Sequence, residues 1–539
     1  MAQRAASYGE AVLHKSLTMK HRSASLHNMK HLHFVPKSAG FVYKQQINHF
    51  FCNFFICLFL YLKQSRDIVF PEIFCLQKFS NFPERIRFIS LFRDKEQKER
   101  CMKKMKVFLL GLLMVFSAVL TAGEWFVSAT TGKNSNSGTT PDAPLKGLWK
   151  AIEKAAPGDT IIVAEGSYFG KMSCGWIKVD KPLLIYGGYS KDFQQRDPHK
   201  FPTFIRPKNS QNATKPVMGS LAIETRQYGP EAMTVINGFI LDHTDANNYS
   251  ATEGKPEGVA EGMLTLPPAK GSKPLPSIDR ALLYANTDGV LAISDCLFLN
   301  ASNHAVNVNH FSGEVQITNN LFIGSRMAAV DVKSTNAKPM AVNLKFTFNT
   351  VLFTWTRTKA FEDMGYGLRV NSGMSTHVFS NIFGFSCMAG VDNTKGDPKK
   401  KSLALDNNTF FLNKKSDITM TVSPNILYLK VEDDGFEDLE DADGIAVVAD
   451  NTSVKDPAVF KGIVDENYLR GFLSATYSET VQYDENSPIN QFREAFGLNK
   501  QGKISSRVSM YANPYPLESA LKFRGAVKGS GAQEFAPPK

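Results

Sequence analysis

A polar residue set just before an apolar pair recurs through the middle of this chain. It appears as Ile293-Ser-Asp-Cys-Leu-Phe298 and Ile317-Thr-Asn-Asn-Leu-Phe322. Looser copies are Phe346-Thr-Phe-Asn-Thr-Val351, Phe379-Ser-Asn-Ile-Phe383 and Leu405-Asp-Asn-Asn-Thr-Phe410, with an earlier one at Val235-Ile-Asn-Gly-Phe-Ile240. The anchors Cys296, Asn320, Asn349, Asn381 and Asn408 stand about 24, 29, 32 and 27 residues apart, the spacing of stacked repeats and not of an ordinary globular domain. Apolar residues alternate on either side of the polar step, as at Val315, Ile317, Leu321 and Ile323, so each copy reads as two short strands meeting at a bend. Asn suits the bend because it tolerates left-handed dihedrals and can hydrogen-bond to the same amide in the repeats above and below. Strands this short bury a core only by stacking. The pattern predicts an all-β, single-stranded, right-handed parallel β-helix with an N-terminal cap helix and a small C-terminal cap.

The chain has 539 residues and a net charge of +11, which by itself would point to an anionic partner. The charge is not spread evenly. Residues 1–122 hold 19 Lys and Arg against 7 Asp and Glu, leaving 43 against 44 for the rest. The repeat region is therefore near neutral, and nucleic acid is excluded as its expected partner. Four of the seven cysteines (Cys52, Cys57, Cys75, Cys101) also precede the repeats. Cys174, Cys296 and Cys387 have no metal spacing, and the last two read as small buried hydrophobes.

Residues 1–101 lack period and turn punctuation, and their apolar run from Phe50 to Leu62 is too short to cross a bilayer. Met102-Lys-Lys-Met-Lys106 then leads into an apolar run, 107–120, that ends in Thr121-Ala122-Gly123. That order is a basic, an apolar and a small-residue region, as in a signal peptide. The expectation is a spurious extension over 1–101 with Met102 or Met105 as initiator, a signal peptide over 102–122, the β-helix over 123–475 and a C-terminal cap region over 476–539. The mature chain is expected to be exported, with no transmembrane span.

From Trp125 a strand leads into a Gly/Asn/Ser loop and then an amphipathic stretch in which Leu148, Ile152 and Ala155 share one face. Pro157-Gly158-Asp159 stops it, and Thr160-Ile-Ile-Val163 and Gly166-Ser-Tyr168 follow. This order resembles the opening segment of the pectate-lyase-like β-helix superfamily, over roughly Trp125 to Phe169. The resemblance implies a cap helix across the first turn of the stack, and an exported protein meeting polysaccharide. It does not imply one activity, since lyases, hydrolases, epimerases, adhesins and spacers share the architecture. Further strands are expected at 183–189 and 203–206, a protruding loop at 242–277, a turn or loop at the acidic 432–443, a last coil at 456–460 and a C-terminal helix at 487–498.

One strand beyond each anchor lies a polar face. His304-Ala-Val-Asn-Val-Asn-His310, Ala328-Ala-Val-Asp-Val-Lys-Ser334, Tyr366-Gly-Leu-Arg-Val-Asn-Ser372 and Ala389-Gly-Val-Asp-Asn-Thr394 align with Val306, Val330, Leu368 and Val391 inward. Alternation then puts Asn307, Asp331, Arg369 and Asp392 outward, with Asn309, Lys333, Asn371 and Thr394 beside them. β-Elimination of a uronate needs a base and a cation for the carboxylate, roles open to Lys333 and Arg369, with Asp331 between them. Hydrolysis needs two carboxylates. Asp331 and Asp392, two strands apart at roughly 9.5 Å, sit at the upper edge of the inverting range. A surface ladder between Asp331 and Arg369 explains the same residues without chemistry. The expected substrate contacts are His304, Asn307, Asn309, His310, Tyr366, Asn371 and Asp392. Ala285-Asn-Thr-Asp-Gly289 resembles the Asn-Thr-Asp motif of polygalacturonases, but no partner motif follows and it reads as a turn. Asp242, His243 and Asp245 are a possible Ca²⁺ set without EF-type spacing. His199 and His377 look isolated.

Overall fold

The computed structural model describes residues 122–171, 176–206, 219–243, 281–301, 303–325, 327–354, 365–371, 373–386, 388–413, 415–422, 425–454, 463–465, 494 and 515–536. All belong to one unit, Asp94–Lys539. The expected signal peptide up to residue 121, the segments 1–101, 244–277 and 456–460, Cys174 and Cys387, and most of the helix expected at 487–498 lie outside them.

The described residues are mostly β, in two long and almost wholly parallel sheets, with few helices. Strand pairing resolves into three stacks. The first includes Gly219–Glu224, the front of Ala281–Ser294, the front of Val306–Thr318, Ala328–Ser334, Tyr366–Val370, Ala389–Asn393 and Ser416–Val422. The second includes Glu124–Val127, Thr160–Ala164, Leu184–Tyr189, Met233–Asn237, the back of the two long strands, Val342–Thr347, Met374–Phe379, Ser402–Asp406 and Ile445–Ala449. The third is built from strands of two or three residues, among them Ile240–Asp242, Leu297–Leu299, Leu321–Ile323, Thr350–Leu352, Ile382–Gly384 and Thr409–Phe411. The long strands join the first two stacks into one sheet. Ala285–Gly289, expected as a turn, lies inside one of them; the register shifts between Thr287 and Gly289, where φ is +81°.

Each strand pairs with the strand one sequence repeat on, so like residues align. Val306, Val330, Leu368 and Val391 form one inward column, and Val315, Leu344, Thr376 and Leu403 another. Inward residues of all three stacks pack into a single apolar core. Its centre is a file of rings: Phe298, Phe322, Phe346, Phe383 and Phe410 follow one another at 4.9, 6.2, 5.9 and 5.5 Å.

The anchor residues form a buried ladder. Asn349 Oδ1 accepts from the N–H and the Nδ2 of Asn320, both at 3.0 Å. Asn349 Nδ2 donates to Ile317 O at 2.8 Å and to Asn381 Oδ1 at 3.1 Å. Asn381 and Asn408 repeat the arrangement, and Asn451, beyond the last copy read from the sequence, continues it. The left-handed backbone is not on these residues. It falls one position earlier, at Asp295, Asn319, Phe348, Ser380, Asn407 and Asp450. Asn is therefore required at the bend for its amide and not for its φ.

The helix expected as a cap is Leu148–Lys154, with Leu148, Ala151 and Ile152 buried. At the other end of the chain, residues 515–536 differ from a small terminal cap. They lie on the outer side of the third stack, where Tyr515, Ala520, Phe523 and Ala532 cluster with Leu297, Leu321, Leu352, Ile382 and Phe411. Arg524 donates to Asn319 O at 3.0 Å and Cys296 O at 3.3 Å, and Gly531 N donates to Ser380 O at 2.8 Å.

Candidate functional site

The outer face of the first stack carries the polar column in the expected register: Asn307 beside Asp331, Asp331 beside Arg369, Arg369 beside Asp392. The reason is local. Val–x–Val alternation fixes which residues point into the core, and the residues between must point out.

Within that column the side chains are not equally available. Arg369 is 9% exposed, its Nε donates to Asp392 Oδ2 at 2.7 Å, and its guanidinium lies 4.4 Å over the Tyr366 ring. Burial disfavours its charge, but the Asp392 carboxylate outweighs this and holds the Arg369 pKa above its ordinary value. Asp392 is fully buried, and its Oδ1 accepts from the N–H and hydroxyl of Thr394 at 3.0 and 2.6 Å. Tyr366 is buried in a small cluster with Ala328, Met388 and Ala389, against which Tyr428 packs. Arg369, Asp392 and Tyr366 thus form an enclosed unit, which corrects the expectation that Arg369 faces solvent. Nearby, Lys401 is 5% exposed and donates to the carbonyls of Asn393 and Lys395; burial pushes its amine down to about 8, against the pull of Asp392.

His310 is also corrected. It continues the inward phase of Val306 and Val308 and is fully buried. Its Nδ1 meets Thr287 Oγ1 at 2.7 Å and its Nε2 meets Gly289 O at 3.2 Å, and burial holds its pKa below the usual value.

What remains forms a smaller cluster. His304 is buried like Arg369, its Nε2 3.6 Å from Asp331 Oδ2, while Asn371 Nδ2 donates to Asp331 Oδ1 at 2.9 Å and to Val332 O at 2.8 Å. Lys333 is exposed beside Asn309, its register partner. Two residues of this face were missed. Tyr284 precedes Asn307 in the outward column, and Asn286 precedes Asn309, whose Nδ2 donates to Asn286 Oδ1 at 3.3 Å. The alternation of Leu283, Tyr284, Ala285 and Asn286 carried the signal, obscured by reading the following residues as a turn.

Of the possible Ca²⁺ set, His243 is buried with Nε2 2.9 Å from Ser220 Oγ, Asp242 accepts from Asn300 Nδ2 at 3.2 Å, and Asp245 lies outside the described residues. Among the described residues no three His, Cys, Asp or Glu side chains are grouped to hold a metal ion, and no helix is long and apolar enough to cross a membrane.

No family profile matches the chain, and no curated protein matches it. Among solved structures, a pectate lyase is 12% identical over 57% of this chain and 57% of its own, with a TM-score of 0.28. A protein solved in complex with xylose is 11% identical over 56% of this chain and 64% of its own, with a TM-score of 0.31. A rhamnogalacturonan lyase is 10% identical over 62% and 87%, with a TM-score of 0.23. The chain thus spans less than two thirds of the length of the first two. None of these scores is high enough to speak for a shared chemistry.

Proposed function

We propose that this chain is an exported right-handed parallel β-helix of the pectate-lyase-like kind, and that it binds polysaccharide along the outer face of the first stack. The observation that supports this is the register. Planar amides, a carboxylate and a phenol repeat outward at the strand spacing of about 4.8 Å. That advance is close to the advance per residue of an extended sugar chain, and hydroxyl-rich ligands are held by such amide and carboxylate partners. The near-neutral charge after residue 122 fits a sugar better than a nucleic acid.

Of the two finer readings, binding without catalysis is favoured over a uronate lyase. A lyase needs a free cation to neutralise the substrate carboxylate, and Arg369 already spends its charge on Asp392. Lys333 keeps the geometry of a base but has no second cation beside it among the described residues of this face. Hydrolysis by Asp331 and Asp392 is disfavoured for the same reason, since both oxygens of Asp392 are engaged.

The test is affinity electrophoresis of the full chain through gels holding a broad panel of plant and microbial polysaccharides. Retardation by at least one of them is expected, reduced by Asn371→Ala and unchanged by Lys345→Ala on the second stack. Lack of retardation by every polymer would remove the proposal. A parallel ultraviolet assay for unsaturated product is expected to stay flat; a rising signal abolished by Lys333→Ala would restore the lyase reading.

A further inference from the structure

We infer that the saccharide held on the first-stack face is neutral and rich in hydroxyls, and that its anchoring subsite is Tyr284 with the amides of Asn286, Asn307 and Asn309. The inference rests on the carbohydrate reading above and narrows it.

Tyr284 sits in the outward column between Ala222 and Asn307. On one side its neighbour is the buried Ala222, and the Tyr284 side chain itself is half-buried. Burial, and then the Glu224 carboxylate, raise the phenol pKa, so the hydroxyl stays protonated at neutral pH. The exposed part of a half-buried aromatic ring can take the C–H face of a pyranose. The ring is bordered by amides. Asn307 Oδ1 and Asn309 Oδ1 are turned away from solvent and have no hydrogen-bond partner there. The terminal torsion of Asn is broad, so either edge of the amide can turn toward a ligand. A sugar hydroxyl supplies the missing donor and accepts from the amide nitrogen in return.

Charge decides between neutral and acidic sugars. The face presents the Glu224 and Asp331 carboxylates. Its cations are mostly committed: Lys178 to Glu224 at 3.2 Å and Arg369 to Asp392 at 2.7 Å. Lys333 is exposed two residues after Asp331 on the same outward side of its strand. A uronate would bring a further anion to a face whose Lys178, Lys333 and Arg369 are matched in number by Glu224, Asp331 and Asp392, so it finds little net attraction there. A neutral sugar meets only polar partners.

The experiment is isothermal titration calorimetry of the full chain with xylan, mixed-linkage β-glucan and galactomannan, against polygalacturonate and alginate. At least one neutral polymer is expected to bind about tenfold or more tighter than either uronate polymer, about 1.4 kcal/mol. Tyr284→Ala should weaken that binding by about tenfold or more while Tyr284→Phe keeps it within about threefold. Asp331→Asn should raise uronate affinity relative to the wild type. Circular dichroism checks that each variant folds, and Asn309→Ala carries the same expectation if Tyr284→Ala does not. Equal or tighter binding of a uronate polymer overturns the inference and leaves the carbohydrate reading standing. Binding of neither class overturns both. Neutral binding indifferent to folded Tyr284→Ala and Asn309→Ala overturns the placement of the subsite.

Discussion

Arg369 and Lys333 stand on neighbouring strands of one face, yet their stability roles diverge. Asp392 has no exposed surface, and Arg369 is its ion-pair partner. Arg369→Ala would leave a buried carboxylate uncompensated, a loss of about 3–5 kcal/mol. Lys333→Ala, at an exposed position, should fall within about 0.5 kcal/mol. Urea unfolding midpoints of the two variants give the comparison, and equal midpoints would sink the account. Arg369→Met with Asp392→Leu should recover most of the loss, because an apolar pair of similar volume avoids the desolvation of two charges. Alternation told from the sequence which of these side chains leave the core. It did not tell that Arg369 is enclosed, because its cover comes from Tyr366 at the head of its own strand and from a cluster that includes Met388 and Tyr428, the last on a hairpin strand some sixty residues on.

The terminal segment 515–536 is the element whose role was hardest to read. A signal was present: Leu297-Phe-Leu299, Leu321-Phe-Ile323 and Thr409-Phe-Phe411 are apolar on both faces, as a strand covered on both sides must be. The covering chain lies roughly two hundred residues away and has no period of its own. Ending the chain at residue 514 would uncover this face. At about 1.5–3 kcal/mol per large apolar side chain, a few such exposures rival a whole domain's stability of about 5–15 kcal/mol. The truncated protein is expected to bind a hydrophobic dye strongly or to precipitate; a soluble, dye-silent product with unchanged melting would refute the covering role. The same segment has an acid-sensitive corner. His199 packs edge-on against Phe535 and lines a small cavity with Arg524 and Asp295, and burial, then the Arg524 charge, push its pKa down to about 4. Asp197 opposes that shift, and Arg196 and Glu534 are the other charged groups close by. Because the unfolded imidazole, near 6.5, takes up its proton first, the contribution to stability is whole above about pH 6.5. It falls as pH drops and is lost below about 4. Melting temperature against pH should show this descent, and His199→Phe should flatten it over that interval; parallel curves for the two proteins would count against it.

For the molecule as a whole, the period was legible because every repeat must meet the same two demands. Its inward positions must be apolar, and its bend must carry an amide that both donates and accepts across the stack. The third repeated demand, a left-handed residue before that amide, was invisible because Asp, Asn, Phe and Ser all fill it. The ladder also has a direction. Each Oδ1 faces the N-terminal neighbour and each Nδ2 faces the C-terminal one, from Asn320 through Asn349, Asn381 and Asn408 to Asn451. Aligned amide dipoles add head to tail, as peptide dipoles do in a helix, and hydrogen bonds in such a row polarise one another. The row therefore has a negative pole near Cys296 and a positive pole near Asn451. At the negative pole the backbone N–H of Cys296 meets the first oxygen at 2.9 Å. Near the positive pole, the acidic segment places Glu440 against the backbone N–H of Val448, three residues before Asn451. The fold thus carries a fixed electrical axis along its stack.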